Sequence, residues 1–146
     1  MKKKFFAIII STLALFNLVG CGSSKSSKLK DGDYKIETAK ADDHGNKARL
    51  SIKVVKGKIT EATYNEFNAE NNQLKRDNEE YNKKMTEVSG IGPKDYEPQL
   101  EEALIKAQSS EIDTITGATG SSEQFKSLVS AILKNAEEGK TGESKL

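Results

Sequence analysis

Residues 125–136 restrict the possible folds more than any other stretch. Phe125, Leu128, Val129, Ile132, Leu133 and Ala136 recur at three- and four-residue spacing and form one continuous apolar face on a helix. Such a face needs an apolar layer to cover, and the first half of the chain supplies one as strands. Tyr34, Ile36 and Thr38 alternate with charged or small neighbours, and Leu50, Ile52 and Val54 alternate with Arg49, Ser51 and Lys53. Both patterns predict half-buried strands. Lys56-Gly57 then precedes KITEATY at 58–64, and a tight turn with Gly second predicts a hairpin. The alternation blurs after Glu61, which predicts a bulge or register change there.

Residues 72–88 are polar, with only Leu74, Tyr81 and Met85 near one face of a helix. Ser89-Gly90-Ile91-Gly92-Pro93 breaks that helix. Pro98 suits the first turn of the next one, whose apolar positions are Leu100, Ala103, Leu104 and Ala107. Strands first and helices afterwards predict an α+β fold, a mainly antiparallel sheet with helices packed on it, in a single domain. Residues 138–146 are polar and are expected to fray.

Composition narrows the chemistry. Lys and Arg total 23 against 22 Asp and Glu, a balance that argues against a nucleic-acid partner. One Cys and one His exclude a Cys/His metal site, an iron–sulfur cluster and a disulfide within the chain, so any redox work falls to an organic cofactor. His44 lies in a turn-like Asp42-Asp43-His44-Gly45-Asn46 and is assigned no catalytic role.

Residues 1–20 read as an export signal: Lys2, Lys3 and Lys4, then an apolar run from 5 to 19. That run is shorter than the roughly 20 residues a bilayer crossing needs. Its end, Leu18-Val19-Gly20-Cys21, resembles a bacterial lipobox, which implies a diacylglycerol thioether on Cys21, cleavage before it and acyl chains such as palmitate. The expected product is a lipid-anchored protein on the extracytoplasmic face of the cell membrane. Its 20 basic and 22 acidic residues would give a net charge of −2. GSSKSSKLK at 22–30 reads as a tether that reaches about 30 Å when stretched. The domain proper then spans 31–137.

Residues 112–122, IDTITGATGSS, lead into the final helix. Two physical readings stand side by side. Ser121 with Gln124 fits a capping box. Alternatively, a Gly-flanked hydroxyl loop at a helix start seats a phosphate on free N–H groups and the helix dipole. No P-loop Lys is present.

Asp113-Thr114-Ile115-Thr116-Gly117-Ala118-Thr119 closely resembles the flavinylation motif of FMN-binding domains, Asp-x-x-Ser/Thr-Gly-Ala/Ser-Thr/Ser. Asp31-Gly32-Asp33-Tyr34 resembles the family's opening, and Val55-Lys56-Gly57-Lys58-Ile59 its hairpin before the strand holding Tyr64. Tyr81-Asn82-x-x-Met85 and residues 93–108 resemble the helical insert of its lipoprotein members. The likeness covers about residues 31 to 137. Two positions depart from the pattern. Gly is absent after Tyr34, and Gly120 stands where a larger residue or a hydroxyl is common.

The resemblance implies that a flavin transferase esterifies the FMN phosphate to Thr119, with Asp113, Thr116, Gly117 and Ala118 as recognition residues and Gly120, Ser121 and Ser122 alongside. The chain would then be an electron carrier and the transferase's substrate rather than itself an enzyme. It would take electrons from a membrane quinol or dehydrogenase and pass them to an external acceptor. Tyr64, Tyr81 and Met85 are candidates to pack on the ring, with core packing as the plainer role. Lys75, Arg76 and Lys84 either place positive charge near it or form a solvated face. The competing expectation is a cofactor-free surface or binding lipoprotein whose loop only caps a helix. The residues 13–20 octapeptide, resembling signal-derived pheromones of some family lipoproteins, implies a second product.

Overall fold

The structure, a computed structural model, describes residues 28–146. The export signal, Cys21 and most of the tether lie outside the described residues. The architecture is α+β: β1 (Gly32–Glu37), β2 (Asn46–Val55), β3 (Lys58–Asn68), a 3-10 turn (Lys75–Asp77), α1 (Glu79–Ser89), α2 (Pro93–Ala107), α3 (Thr119–Glu138) and β4 (Gly142–Lys145). The strand order is β3-β2-β1-β4, antiparallel except for the parallel β1–β4 pair.

The alternating patterns form the strands they predict. Tyr34 and Ile36 on β1, and Ala48, Leu50, Ile52 and Val54 on β2, point to one buried face. Phe125, Leu128, Val129, Ile132 and Ala136 of α3 pack onto it, with Leu133 at the margin. The hairpin turns at Lys56 (φ 53°) and Gly57 (φ 75°), the paired left-handed geometry of a two-residue turn. Asp31 accepts hydrogen bonds from both turn amides, at 2.9 and 2.8 Å, and these hold its carboxyl below its ordinary range. The irregularity falls at Thr60, just before Glu61: Lys53 pairs with Glu61, but Val54 pairs with Ile59.

Four expectations need correction. The polar helix does not begin at 72. Asn78 caps it, accepting from the Tyr81 amide at 3.0 Å, and a 3-10 turn precedes it. Pro93, not Pro98, opens α2. Pro98 sits one turn further in. Ser121 is not a cap, because α3 starts earlier, with Ala118 as its cap residue and no side-chain cap bond. The polar tail becomes β4, which pairs with β1 from Tyr34↔Gly142 to Glu37↔Lys145.

The two sheet edges are protected differently. At β3, α2 lies alongside and its side chains complete the strand's hydrogen bonding. Gln108 Oε1 accepts from the Ile59 amide (2.8 Å), Glu101 Oε1 from Tyr64 (2.8 Å) and Glu97 Oε1 from Glu66 (2.9 Å). This leaves β3 no free donor at these positions for another strand to pair with. At the other edge β4 is short and mostly exposed.

Candidate functional site: the loop that opens α3

Ile112 is buried and Ile115 half-buried, which fixes the loop to the core. Ser122, fully buried, pins it from below. Its hydroxyl donates to Ala118 O (2.8 Å) and accepts the Ile115 amide (3.0 Å). Gly117 has φ 84°, and a Cβ there would stand 2.2 Å from the Ser89 carbonyl oxygen and 3.0 Å from Ile91. The turn therefore requires glycine twice over, for its angle and for its contact with the end of α1.

Thr119 follows as the first residue of α3, with its side chain exposed. The amides of Thr119, Gly120 and Ser121 have no acceptor among the described residues. Nothing lies within 4 Å of the position a Gly120 Cβ would take, so the helix start is open on that side. An exposed hydroxyl therefore sits beside three N–H groups with no acceptor among the described residues, at the positive end of a 20-residue helix. Asp113 and Thr116 are both exposed, and their side chains have no hydrogen-bond partner among the described residues. Ala118 is buried beneath the turn.

Tyr81 and Met85 lie half-buried on α1, with Val88 continuing their stripe at 78% exposure. No residue of α1 is buried, and its last carbonyl abuts Gly117, so this uncovered apolar stripe ends next to the loop. Tyr64 is different. It is fully buried, its ring edge-on to Phe125 at 4.9 Å, and so it packs the interior.

Beneath the loop lies a buried polar cluster that the sequence did not reveal. Ser121 Oγ donates to Tyr96 OH (3.1 Å), and Tyr96 OH donates to Glu66 Oε2 (3.2 Å). Glu66 also accepts from Tyr64 OH (3.0 Å) and Lys75 Nζ (2.8 Å). Arg76 pairs with Glu97 and, at 2.7 Å, with Glu101. Lys75 and Arg76 thus belong to this cluster rather than to a solvated face, while Lys84 is exposed. Burial works against the Lys75 charge, but Glu66 outweighs it and raises the ammonium's pKa. Burial pushes the Glu97 carboxyl up to about 7, against the Glu66 amide and Arg76. Burial also raises the Tyr96 hydroxyl far above its ordinary value. The signal available in the sequence was the spacing of Glu97, Glu101 and Gln108 on one side of α2, beside its apolar stripe.

The family model described as FMN-binding domain matches residues 28–134. The chain belongs to that family. This FMN-binding domain is 29% identical over 140 residues to a 15 kDa lipoprotein of Treponema pallidum, covering 95% of this chain and 94% of that one. The crystal structure of the CPE2226 protein from Clostridium perfringens is 69% identical, with a TM-score of 0.80, covering 81% of this chain and 97% of that one. A solution NMR structure from Clostridium thermocellum, 23% identical with a TM-score of 0.52, shares the fold over 75% of this chain and 93% of its own.

The FMN-binding domain thus presents an open helix start, a free hydroxyl and an adjoining apolar stripe, three features that suit a phosphate joined to a planar ring system. Thr119, Gly120 and Ser121 would hold the phosphate end. Tyr81, Met85 and Val88 offer the nearest uncovered apolar surface.

Proposed function

We propose that this protein is a lipid-anchored, extracytoplasmic electron carrier that holds FMN as a phosphoester on Thr119. The observation that carries the reading is the start of α3, where an exposed Thr119 hydroxyl stands beside three amides without acceptors among the described residues. The ester's negative charge at this helix end is favourable by roughly 0.3–1 kcal/mol. A threonine hydroxyl is a weak nucleophile, so the flavin transferase supplies the activation and this chain supplies the acceptor. Asp113 and Thr116, exposed on the approach to Thr119, are the side chains that the transferase would read. The bond matters because an exported carrier meets little free FMN, and dilution would strip a reversibly bound cofactor. Once attached, the flavin supplies the electron chemistry.

The anchor supports the same reading. The Lys30 amide donates to Ala136 O (3.0 Å), so the tether enters at the C-terminal end of α3. Thr119 is at the other end, about 30 Å away along 20 residues. A lipid on Cys21, as in the lipoprotein reading, therefore leaves the flavin end free to face outward to an acceptor, while the tether lets the domain tip back towards a membrane quinol or dehydrogenase. The test is the absorbance and FMN content of protein co-expressed with a flavin transferase. Yellow protein that keeps its colour through denaturation supports the reading. Colourless protein indicates a cofactor-free lipoprotein with a structural loop.

A further inference from the structure

Along α2, Glu97, Glu101 and Gln108 perform one task, accepting amides of the β3 edge. Gln108 does it as a neutral amide, so the task needs no charge. Yet Glu97 is 0% exposed and Glu66 3%, and burying a carboxylate costs several kcal/mol before pairing. The pairing is also incomplete. Among the described residues, three carboxylates (Glu66, Glu97 and Glu101) face two cations, Lys75 and Arg76. A cluster short of one positive charge has a place for a proton, and its hydroxyl arm, Tyr96 to Ser121, ends two residues beyond Thr119 on α3.

We propose that this cluster takes up a proton on Glu97 when a flavin on Thr119 is reduced, the two being coupled through Ser121, Tyr96 and Glu66. The inference rests on the FMN reading above and goes beyond it. Reduction by an electron pair, from the membrane donor or from dithionite, places negative charge at the mouth of α3. The ring takes up its own proton. A second proton, from solvent, forms an O–H bond on the Glu97 carboxylate and offsets the new charge. Both protons return to solvent on reoxidation.

Arg76 from the 3-10 turn, Glu66 and Tyr64 from β3, and Tyr96 and Glu101 from α2 face Glu97, with Lys75 and Ser121 acting through Glu66 and Tyr96. Burial already sets the Glu97 carboxyl at about 7, so the store works at neutral pH. Tyr96 is a positioning residue, since its hydroxyl joins the loop to the cluster.

The experiment is a redox titration of the flavin-loaded protein across neutral pH, with proton uptake measured on dithionite reduction. Wild type is expected to show a steeper fall of potential with pH than Glu97→Gln and, at pH 7, where the carboxyl is already about half protonated, up to about half an additional proton per electron pair. Gln keeps the acceptor for the Glu66 amide and so preserves the edge. Tyr96→Phe is expected to shrink the difference in slope. A second readout needs no flavin: the Glu97 carboxyl, followed by carbon NMR in the unloaded protein, is expected to titrate near neutrality. Parallel slopes and equal proton counts in yellow wild-type and Glu97→Gln protein overturn the inference alone, as does a Glu97 that titrates with ordinary glutamates. Colourless protein from a host with the transferase overturns the FMN reading and this inference with it.

Discussion

The two ends of α3 face opposite demands and are built in opposite ways. At its C-terminal end nearly every loose group is matched. Gly139 turns left-handed, with its amide on Ala136 and Asn135 carbonyls, Lys140 donates to Asn135 O, and Lys30 donates from its backbone to Ala136 O and from its side chain to Glu138 O. At its N-terminal end, among the described residues, three amides have no acceptor and no side chain caps the helix, and the turn before it is held by Ser122 and Gly117. The contrast teaches that the open end is not loosely made. Its turn is held by the Ser122 hydroxyl and by the close approach of Gly117 to Ser89, while the first three helix amides keep their hydrogen-bonding capacity unused among the described residues.

Four stability effects and one chemical effect sharpen that contrast. Gly117→Ala places a Cβ against the Ser89 carbonyl at a positive φ and is expected to cost roughly 2–4 kcal/mol, read by thermal melting, with loss of flavin incorporation. Next comes the pH dependence near the open end. The folded Glu97 carboxyl, at about 7, lies above its ordinary 4.5. Its contribution to stability is therefore fully present below about 4.5 and is lost as pH rises through about 7, on the order of 3 kcal/mol in all. Melting temperature should fall over that window in flavin-free wild type and change less in Glu97→Gln.

Ser122→Ala strands the Ile115 amide and is expected to cost about 1–3 kcal/mol by denaturant unfolding. At the closed end, Ser144→Ala removes the link between Asn135 and Lys35 O, for about 0.5–1.5 kcal/mol, and leaves flavin loading intact. Thr119→Ala is expected to change stability by less than about 0.5 kcal/mol, being an exposed first residue, while abolishing covalent flavin altogether. A Thr119→Ala protein that melts several degrees lower would make the open end structural and erase the contrast.

The sequence shows the parts of the fold that follow a period. The β1 and β2 alternation, the Lys56-Gly57 turn and the α3 face all appear where their patterns place them, because burial enforces a period of two or 3.6. Polar elements escaped. β4 reads GESK, with no apolar alternation, and it exists because β1 offers it an edge. The capping reading of Ser121 failed because Ser122, one residue on, takes Ala118 O and the Ile115 amide, so the helix begins at Thr119. The loop itself was legible from its motif, but the cluster beneath it was not. Glu66, Glu97, Lys75 and Arg76 are charged, and charged residues read as solvent until tertiary contacts pair them.

The most direct measurement is a mass spectrum of the peptide spanning 112–126, released from membranes of cells that make a flavin transferase. The account predicts that Thr119 carries the mass of an FMN ester and that the Thr119→Ala peptide carries none. A bare Thr119 in those cells would contradict it.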